Sequence, residues 1–411
     1  MRDATIHQFP PFPAGLAISP EFRLAVVCSW IAPERLHHQQ GELVASLCEA
    51  GIDWDAFLTL VARHGIPVQA LTVLRRCLGE EMPELPYREL LARGRRKALT
   101  STAQMAELVR INRLLRTQGI NIIPLKGVCL SQRLYGTPGV RASGDMDVLI
   151  RPENLMAADQ LLAELGYRNI YDLTKRQTAA YLAHAHHVVY CHEESGQHLE
   201  LHWRSHFWSQ EQREEFWRGR ENVEMMGEPF TFLEDSILFL FLCDHGSRHA
   251  WYRMKWVSDI AMMLAGKSIH DWDPVLALAD RLGLRRVVAQ ASLLVFWLYG
   301  IPLPSQLSAL IAAENEAFWL AKKAVIALLA GATKYSLWSM RLTNTVYFMR
   351  IKPDLPFGLI LKELFMCPVD YVTFPLPDRL FWLYVPLRPF FWFWRHYGGR
   401  FCAKIGSNGK A

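Results

Sequence analysis

The chain has 411 residues, enough for a large apolar core and two or three domains. Its formal charge is +5 with histidine neutral, so no domain-wide excess of lysine and arginine marks a nucleic-acid binder, and none is expected as a partner. Eight scattered cysteines without a C-x-x-C pair read as reduced thiols in a cytoplasmic protein, and MRDATIHQFPPFPAG at the start lacks the apolar stretch of a secretory signal.

Residues 1–20 are Pro-rich and read as a flexible N-terminus. Residues 21–118 read as a helical region. Asp53 ahead of Trp54, Phe57, Leu58, Leu60 and Val61 predicts an N-capped amphipathic helix ending at Gly65. Pro83 and Pro86 precede a long helix from about Tyr87 to Gln118. Its Arg93, Arg95, Arg96 and Lys97 form either a solvated face or a surface for an anionic substrate.

Residues 119–208 read as the core. Ile120, Ile122 and Ile123 make a short β-run that Lys126-Gly127 ends, and Val128 to Tyr135 follows at helical spacing. Gly136, Pro138 and Gly139 break the chain. Asp145-Met146-Asp147 then opens a second apolar run, Val148 to Ile150, and a helix runs from Pro152 to Leu165. His186 to His192 and Gln197 to Trp203 form a hairpin around the turn Glu193 to Gly196. On its second strand Leu199, Leu201 and Trp203 share one face, while His198, Glu200 and His202 share the other. The alternation of strand and helix implies an α+β fold, a mixed sheet with helices packed on it.

Residues 209–332 read as a helical domain, with a start signal at Glu234-Asp235-Ser236 and a polar patch from His245 to Lys255. Residues 333–411 are an aromatic and basic tail. Phe381 to Tyr384 and Phe390 to Trp394 are flanked by Arg379, Arg388, Arg395 and Arg400. Such a segment suits either packing on the helical domain or peripheral contact with a membrane. No run of about 18 uncharged apolar residues appears, so no spanning helix is expected.

The chemistry centres on Asp145 and Asp147. One residue apart on a strand, they point the same way. Two carboxylates so placed repel unless a cation lies between them, and paired hard oxygens suit Mg²⁺ or Mn²⁺. Otherwise one caps a turn and the other is solvated. Lys126 stands where the first strand turns into a helix, and a helix N-terminus with an ammonium makes a site for phosphate. Arg141 can pair with the carboxylates or with phosphate. A rival constellation is the run of histidines His184, His186, His187, His192, His198, His202 and His206, which with Glu200 could hold zinc or iron. It lacks a helical H-x-x-x-H, and strand alternation sets His186 and His187 on opposite faces.

Five pieces carry a resemblance. They are L-K-G at Leu125 to Gly127, Leu134-Tyr135, R-x-S-G-D-M-D-V-L-I from Arg141 to Ile150, E-L-H-W from Glu200 to Trp203, and K-W-x-x-D-I from Lys255 to Ile260. In this order, over about residues 40 to 400, the chain resembles the uncharacterised nucleotidyltransferases of the DNA polymerase β-like superfamily. The resemblance implies a polymerase β-like mixed sheet flanked by N- and C-terminal helical regions. It implies metal-dependent transfer of a nucleotidyl group from an NTP, ATP first, with Mg²⁺ or Mn²⁺ as cofactor. The acceptor, whether protein, peptide, sugar or small molecule, is not indicated. Glu200 becomes the third catalytic and metal-binding carboxylate beside Asp145 and Asp147. Lys126, Gly127, Arg141, Ser143 and Lys255 become nucleotide contacts, with His202, His245, Arg253 and Asp259 around them. The superfamily's usual Gly-Ser after the first strand is Lys126-Gly127 here, so phosphate binding by a serine hydroxyl is not implied. The same fold could transfer a glycosyl or phosphoryl group, or serve as a non-catalytic nucleotide-binding or membrane-associated scaffold.

Overall fold

A computed structural model describes residues 12–13, 15–204, 210–330, 347, 350–351 and 367–395. Most of the Pro-rich start, His206 and Arg400 lie outside the described residues. The chain divides into two compact units: Met1–Val148 with Ser209–Pro353, and Leu149–Trp208 with Asp354–Ala411. Elements are numbered in chain order. The fold is mixed α+β, with a five-stranded mixed sheet in the order β1-β2-β5-β4-β3.

Unit one begins with helices α1 (Pro20–Val27), α2 (His37–Glu49), α3 (Trp54–His64), α4 (Pro67–Leu78) and α5 (Glu84–Thr117). The signals that set α3 are those in the sequence. The Asp53 carboxylate accepts from the Ala56 N–H at 3.0 Å, and Gly65 ends the helix at φ +69°. A cap of this kind contributes about 1 kcal/mol. Phe57, Leu58 and Val61 are buried as the spacing predicts. At 34 residues, α5 is about 51 Å long. Strand β1 (Ile122–Pro124), helix α6 (Gly127–Tyr135) and strand β2 (Met146–Ile150) follow, and every residue of β2 is buried. The boundary between the units falls inside β2.

The expectation that residues 209–332 are helical throughout needs correction. After α9 (Gln210–Arg218), strands β6 (Arg220–Met225) and β7 (Glu228–Leu233) form an antiparallel hairpin. Its turn residues Met226 and Gly227 both have positive φ, as a tight two-residue hairpin turn requires. Five of the six β6 residues are exposed, so no alternating apolar pattern marks the strand. The unit then returns to helices: α10 (Asp235–Arg248), α11 (Met254–Gly266), α12 (Asp273–Arg281), α13 (Arg285–Tyr299), α14 (Ser305–Ala313) and α15 (Ala317–Ala330). All residues of α10 from Ile237 to Ser247 are buried, as befits a helix enclosed on every side.

Unit two contains the end of β2, α7 (Leu155–Glu164), β3 (Tyr167–Asn169), α8 (Lys175–His184), β4 (His187–His192) and β5 (His198–His202). Strands β4 and β5 are antiparallel, with His187 opposite His202 and Val189 opposite Glu200. The predicted hairpin is therefore present, and β3 adds to its far side, with Tyr167 opposite His192. The described part of the tail completes this unit with α16 (Pro368–Thr373), a 3₁₀ stretch (Asp378–Tyr384) and α17 (Arg388–Phe393). It packs on α8. Gln177 Nε2 donates to the Leu376 carbonyl at 2.8 Å and to the Tyr384 hydroxyl at 3.0 Å, and Arg176 lies over the Phe381 ring. Buried Asp370 binds Arg388 and Arg395, each at 2.8 Å. The tail also keeps an apolar outer surface, with Trp382 62% and Phe390 54% exposed. Among the described residues no helix is long and apolar enough to cross a membrane.

Candidate functional site

In unit one the predicted residues converge on one turn. The Lys126-Gly127 step ends β1 and starts α6. The Leu125 N–H donates to the Asp147 carbonyl at 3.0 Å, which seats the D-x-D strand beside it. Gly127 has φ +70°, and a Cβ there would stand 3.3 Å from both the Asp145 carbonyl and Ser143 Oγ. Glycine is needed for the conformation and for the close approach. Lys126 turns its ammonium onto Asp147, with Nζ 2.9 Å from Oδ1 and the carboxylate fully buried. Asp145 lies one residue before β2 and is only partly buried.

The loop that carries the two aspartates is held by cations. Lys97 on α5 donates to the Ser143 carbonyl at 2.8 Å, and Lys255 on α11 donates to the Ala142 carbonyl at 3.0 Å. Ser143 Oγ donates to the Asp145 carbonyl at 2.8 Å. The Arg141 N–H donates to Ser131 Oγ at 2.9 Å, and Arg141 Nε binds both oxygens of Asp259 at 2.8 and 2.9 Å. Arg141 and Asp259 are 2% and 1% exposed, so this ion pair is enclosed. Burial raises the Asp259 pKa, and the guanidinium offsets only part of that; burial alone would lower Arg141, but the Asp259 charge and hydrogen bond outweigh it. The arginine decides the state of the pair. It does not deprotonate in proteins, so the carboxylate beside it stays ionised. Burial, then the charge of Arg141, brings Lys255 down to about 7.

The end of α10 and the turn after it add Asp244, Gly246, His249 and Trp251, which the sequence did not single out, to His245, Arg248 and Arg253, which it did. Gly246 leaves room for Trp251, whose Cζ3 would lie 2.3 Å from a Cβ there. Ala250 and Trp251 both have positive φ, a costly conformation for such residues. Arg248 pairs with the buried Asp244 at 3.2 Å. Burial, then the charges of Arg248 and Lys126, takes His249 down to about 3. Burial, then Lys126, holds His245 well below its usual value. Both imidazoles are therefore neutral at pH 7 and lie against Trp256, His245 edge-on at 5.4 Å and His249 tilted at 5.0 Å. Arg253 donates to the Arg63 carbonyl at 2.9 Å, which ties α11 to the end of α3.

Lys97 was visible only as part of a basic cluster. That cluster divides in the fold: Arg95 and Arg96 are exposed, while Lys97 is partly buried against the loop. Arg248 and His249 belong to the polar patch from His245 to Lys255 and Asp244 directly precedes it; Asp244 and Arg248 pair one helical turn apart on α10.

In unit two, strand alternation holds. Leu199 and Leu201 are fully buried and Trp203 nearly so, while Glu200 and His202 lie on the other, half-open face. His202 Nε2 is 3.2 Å from Glu200 Oε2. One expectation for this hairpin fails. His186 and His187 do not diverge; their ring centroids are 4.4 Å apart. His186 sits in a bend just before β4, where strand alternation does not apply.

Carboxylates at a strand start, a lysine at a helix N-terminus and a glycine closing on the loop can together bind the phosphates of a nucleotide. No curated protein and no solved structure matches the chain. A family model does, over residues 50–300, a span that takes in the Lys126-Gly127 turn, the D-x-D strand, the Glu200 strand and the start of α11. The chain belongs to the family described as uncharacterised nucleotidyltransferase.

Proposed function

We propose that the protein transfers a nucleotidyl group from an NTP, ATP first, to a hydroxyl-bearing acceptor, on a polymerase β-like core. The observation that carries this reading is the Lys126–Asp147 contact at the N-terminus of α6, with Gly127 closed against Ser143 and Asp145. An ammonium and a helix N-terminus beside paired carboxylates suit a triphosphate and its counter-ion. Asp145, Asp147 and Glu200 would hold Mg²⁺ or Mn²⁺, because their hard oxygens match those ions. The bound ion supplies charge neutralisation at the phosphates and a lowered pKa for the attacking hydroxyl.

The chain's own residues do the rest. Lys126 swings between Asp147 and phosphate. Gly127 and Ser143 shape the turn on which the triphosphate lies. Lys97 and Lys255 hold the loop carbonyls of Ser143 and Ala142. Arg141 acts through the loop it anchors, since Asp259 engages its guanidinium. His245 and His249 present neutral rings behind Lys126 and leave its charge undiluted. The acceptor is a protein, peptide, sugar or small molecule.

The test is incubation of cell lysate and purified protein with α-labelled or γ-labelled ATP. Transfer of the α-label to an acceptor is the expected result. Transfer of the γ-label alone would mean phosphoryl transfer, and tight binding without transfer of either label would mean a non-catalytic nucleotide-binding scaffold.

A further inference from the structure

We infer that His186, His187 and His202 form a binding site for a first-row transition cation, Zn²⁺ foremost, inside unit two. Each offers a ring nitrogen, and the three ligand atoms all lie within 4.8 Å of one another. The rings are close in space: His187 and His202 stack at 5.0 Å and 27°, and His186 lies 5.9 Å from His202.

The backbone explains why they meet. His187 and His202 are partners in the β4–β5 register, so their side chains stand on the same face. His186 joins them from the bend that precedes β4, where the Trp203 N–H donates to its carbonyl at 3.1 Å. All three are partly exposed, so a cation can reach them from solvent.

Imidazole nitrogens favour zinc, copper, iron and nickel over magnesium, calcium and manganese, which prefer oxygen. A tetrahedral zinc with Zn–N bonds of about 2.0–2.1 Å needs nitrogens about 3.3 Å apart. The present spacing reaches that by small side-chain rotations, with the backbone held by the ladder. Glu200, 3.2 Å from His202 Nε2, supplies the carboxylate that commonly orients a metal-binding histidine. The site differs in chemistry from the all-oxygen set proposed for magnesium and shares only Glu200 with it. Its consequence is local: a cation pinning β4 to β5 at their open end fixes the rotamer of Glu200.

The test uses the full chain, stripped with a chelator and then titrated with Zn²⁺ and with Co²⁺. The expected result is one tightly bound equivalent of zinc by elemental analysis, a raised unfolding temperature, and visible Co²⁺ absorption of the tetrahedral kind. His187→Gln and His202→Gln should each weaken zinc binding at least tenfold. His198→Gln, an exposed neighbour on β5, should leave it unchanged, and so should Asp145→Asn, which separates this site from the nucleotide site. Should a histidine variant fail to fold, the Co²⁺ spectrum and stoichiometry of the unaltered chain still decide. Absence of bound zinc in the unaltered chain, or zinc that survives loss of both His187 and His202, overturns the inference.

Discussion

Asp259→Ala should be among the most damaging single substitutions in unit one. The change removes the only acceptor described for the side chain of Arg141, which is 2% exposed and bound through Nε to both carboxylate oxygens. A buried guanidinium left without its partner costs about 3–5 kcal/mol, a large share of the stability of any domain. The double change Arg141→Leu with Asp259→Leu removes both charges together. It should recover most of that loss, because replacing a buried pair by apolar groups is often close to neutral. The assay is urea unfolding followed by tryptophan fluorescence, since Trp251 and Trp256 are buried on the same unit and report its opening. Nucleotide binding gives a second readout. The double variant should be stable yet bind NTP weakly, because the loop from Ala142 to Asp145 then keeps only the Lys255 hydrogen bond as its tie to α11. If Asp259→Ala costs less than about 1 kcal/mol, or if the double variant is as unstable as the single one, the pair is not the coupled unit described here.

Four further outcomes are expected. Asp145→Asn and Asp147→Asn should each lower Mg²⁺-dependent NTP binding by more than about tenfold while circular dichroism stays native, and full affinity in both would remove the aspartates from the site. Lys255, brought down to about 7 by burial, is protonated in both folded and unfolded states below that pH, and in the unfolded state alone between about 7 and 10.5. The stability of the protein relative to Lys255→Met should therefore increase as pH rises from about 7 to 10, and a flat difference would contradict the burial. The Tyr384 hydroxyl accepts from Gln177 and from the Leu376 N–H and donates to the Phe374 carbonyl, so Tyr384→Phe should cost about 1–3 kcal/mol in unit two by thermal unfolding, and no loss would mean that the tail is not integral to it. Peripheral membrane contact, proposed from the exposed Trp382, Phe390, Phe393 and Trp394, predicts that serine at these four positions lowers co-sedimentation with anionic vesicles at unchanged melting temperature; equal co-sedimentation would discard it.

Where a residue's role was local, its place could be read from the chain. Asp53 capping α3, the Lys126-Gly127 turn and the alternation of Leu199, Glu200, Leu201 and His202 each depend on neighbours within a few positions. Where the role depended on another segment, the sequence was silent. Nothing around Asp259 marks Arg141 as its partner 118 positions earlier. Nothing in the Arg93 to Lys97 cluster says that only its last member turns toward the Ser143 carbonyl. The β6–β7 hairpin was missed because its exposed strand carries no apolar alternation and its Met-Gly turn lacks the usual Asn or Asp. His186 and His187 converge because β4 begins at His187, one residue later than the apolar pattern places it.

Unit two is made of two stretches of chain, Leu149–Trp208 and Asp354–Ala411, separated by about 150 residues of unit one. On a ribosome adding about 5–20 residues per second, the second stretch emerges roughly 8 to 30 s after the first. Until then α8 lacks the cover that Tyr384 and Leu376 provide, and Gln177 Nε2 lacks both of its acceptors in the tail. A chaperone, or slow translation just before residue 354, would act during this interval. The protein's yield should then depend more on the speed of its synthesis than its equilibrium stability alone would suggest.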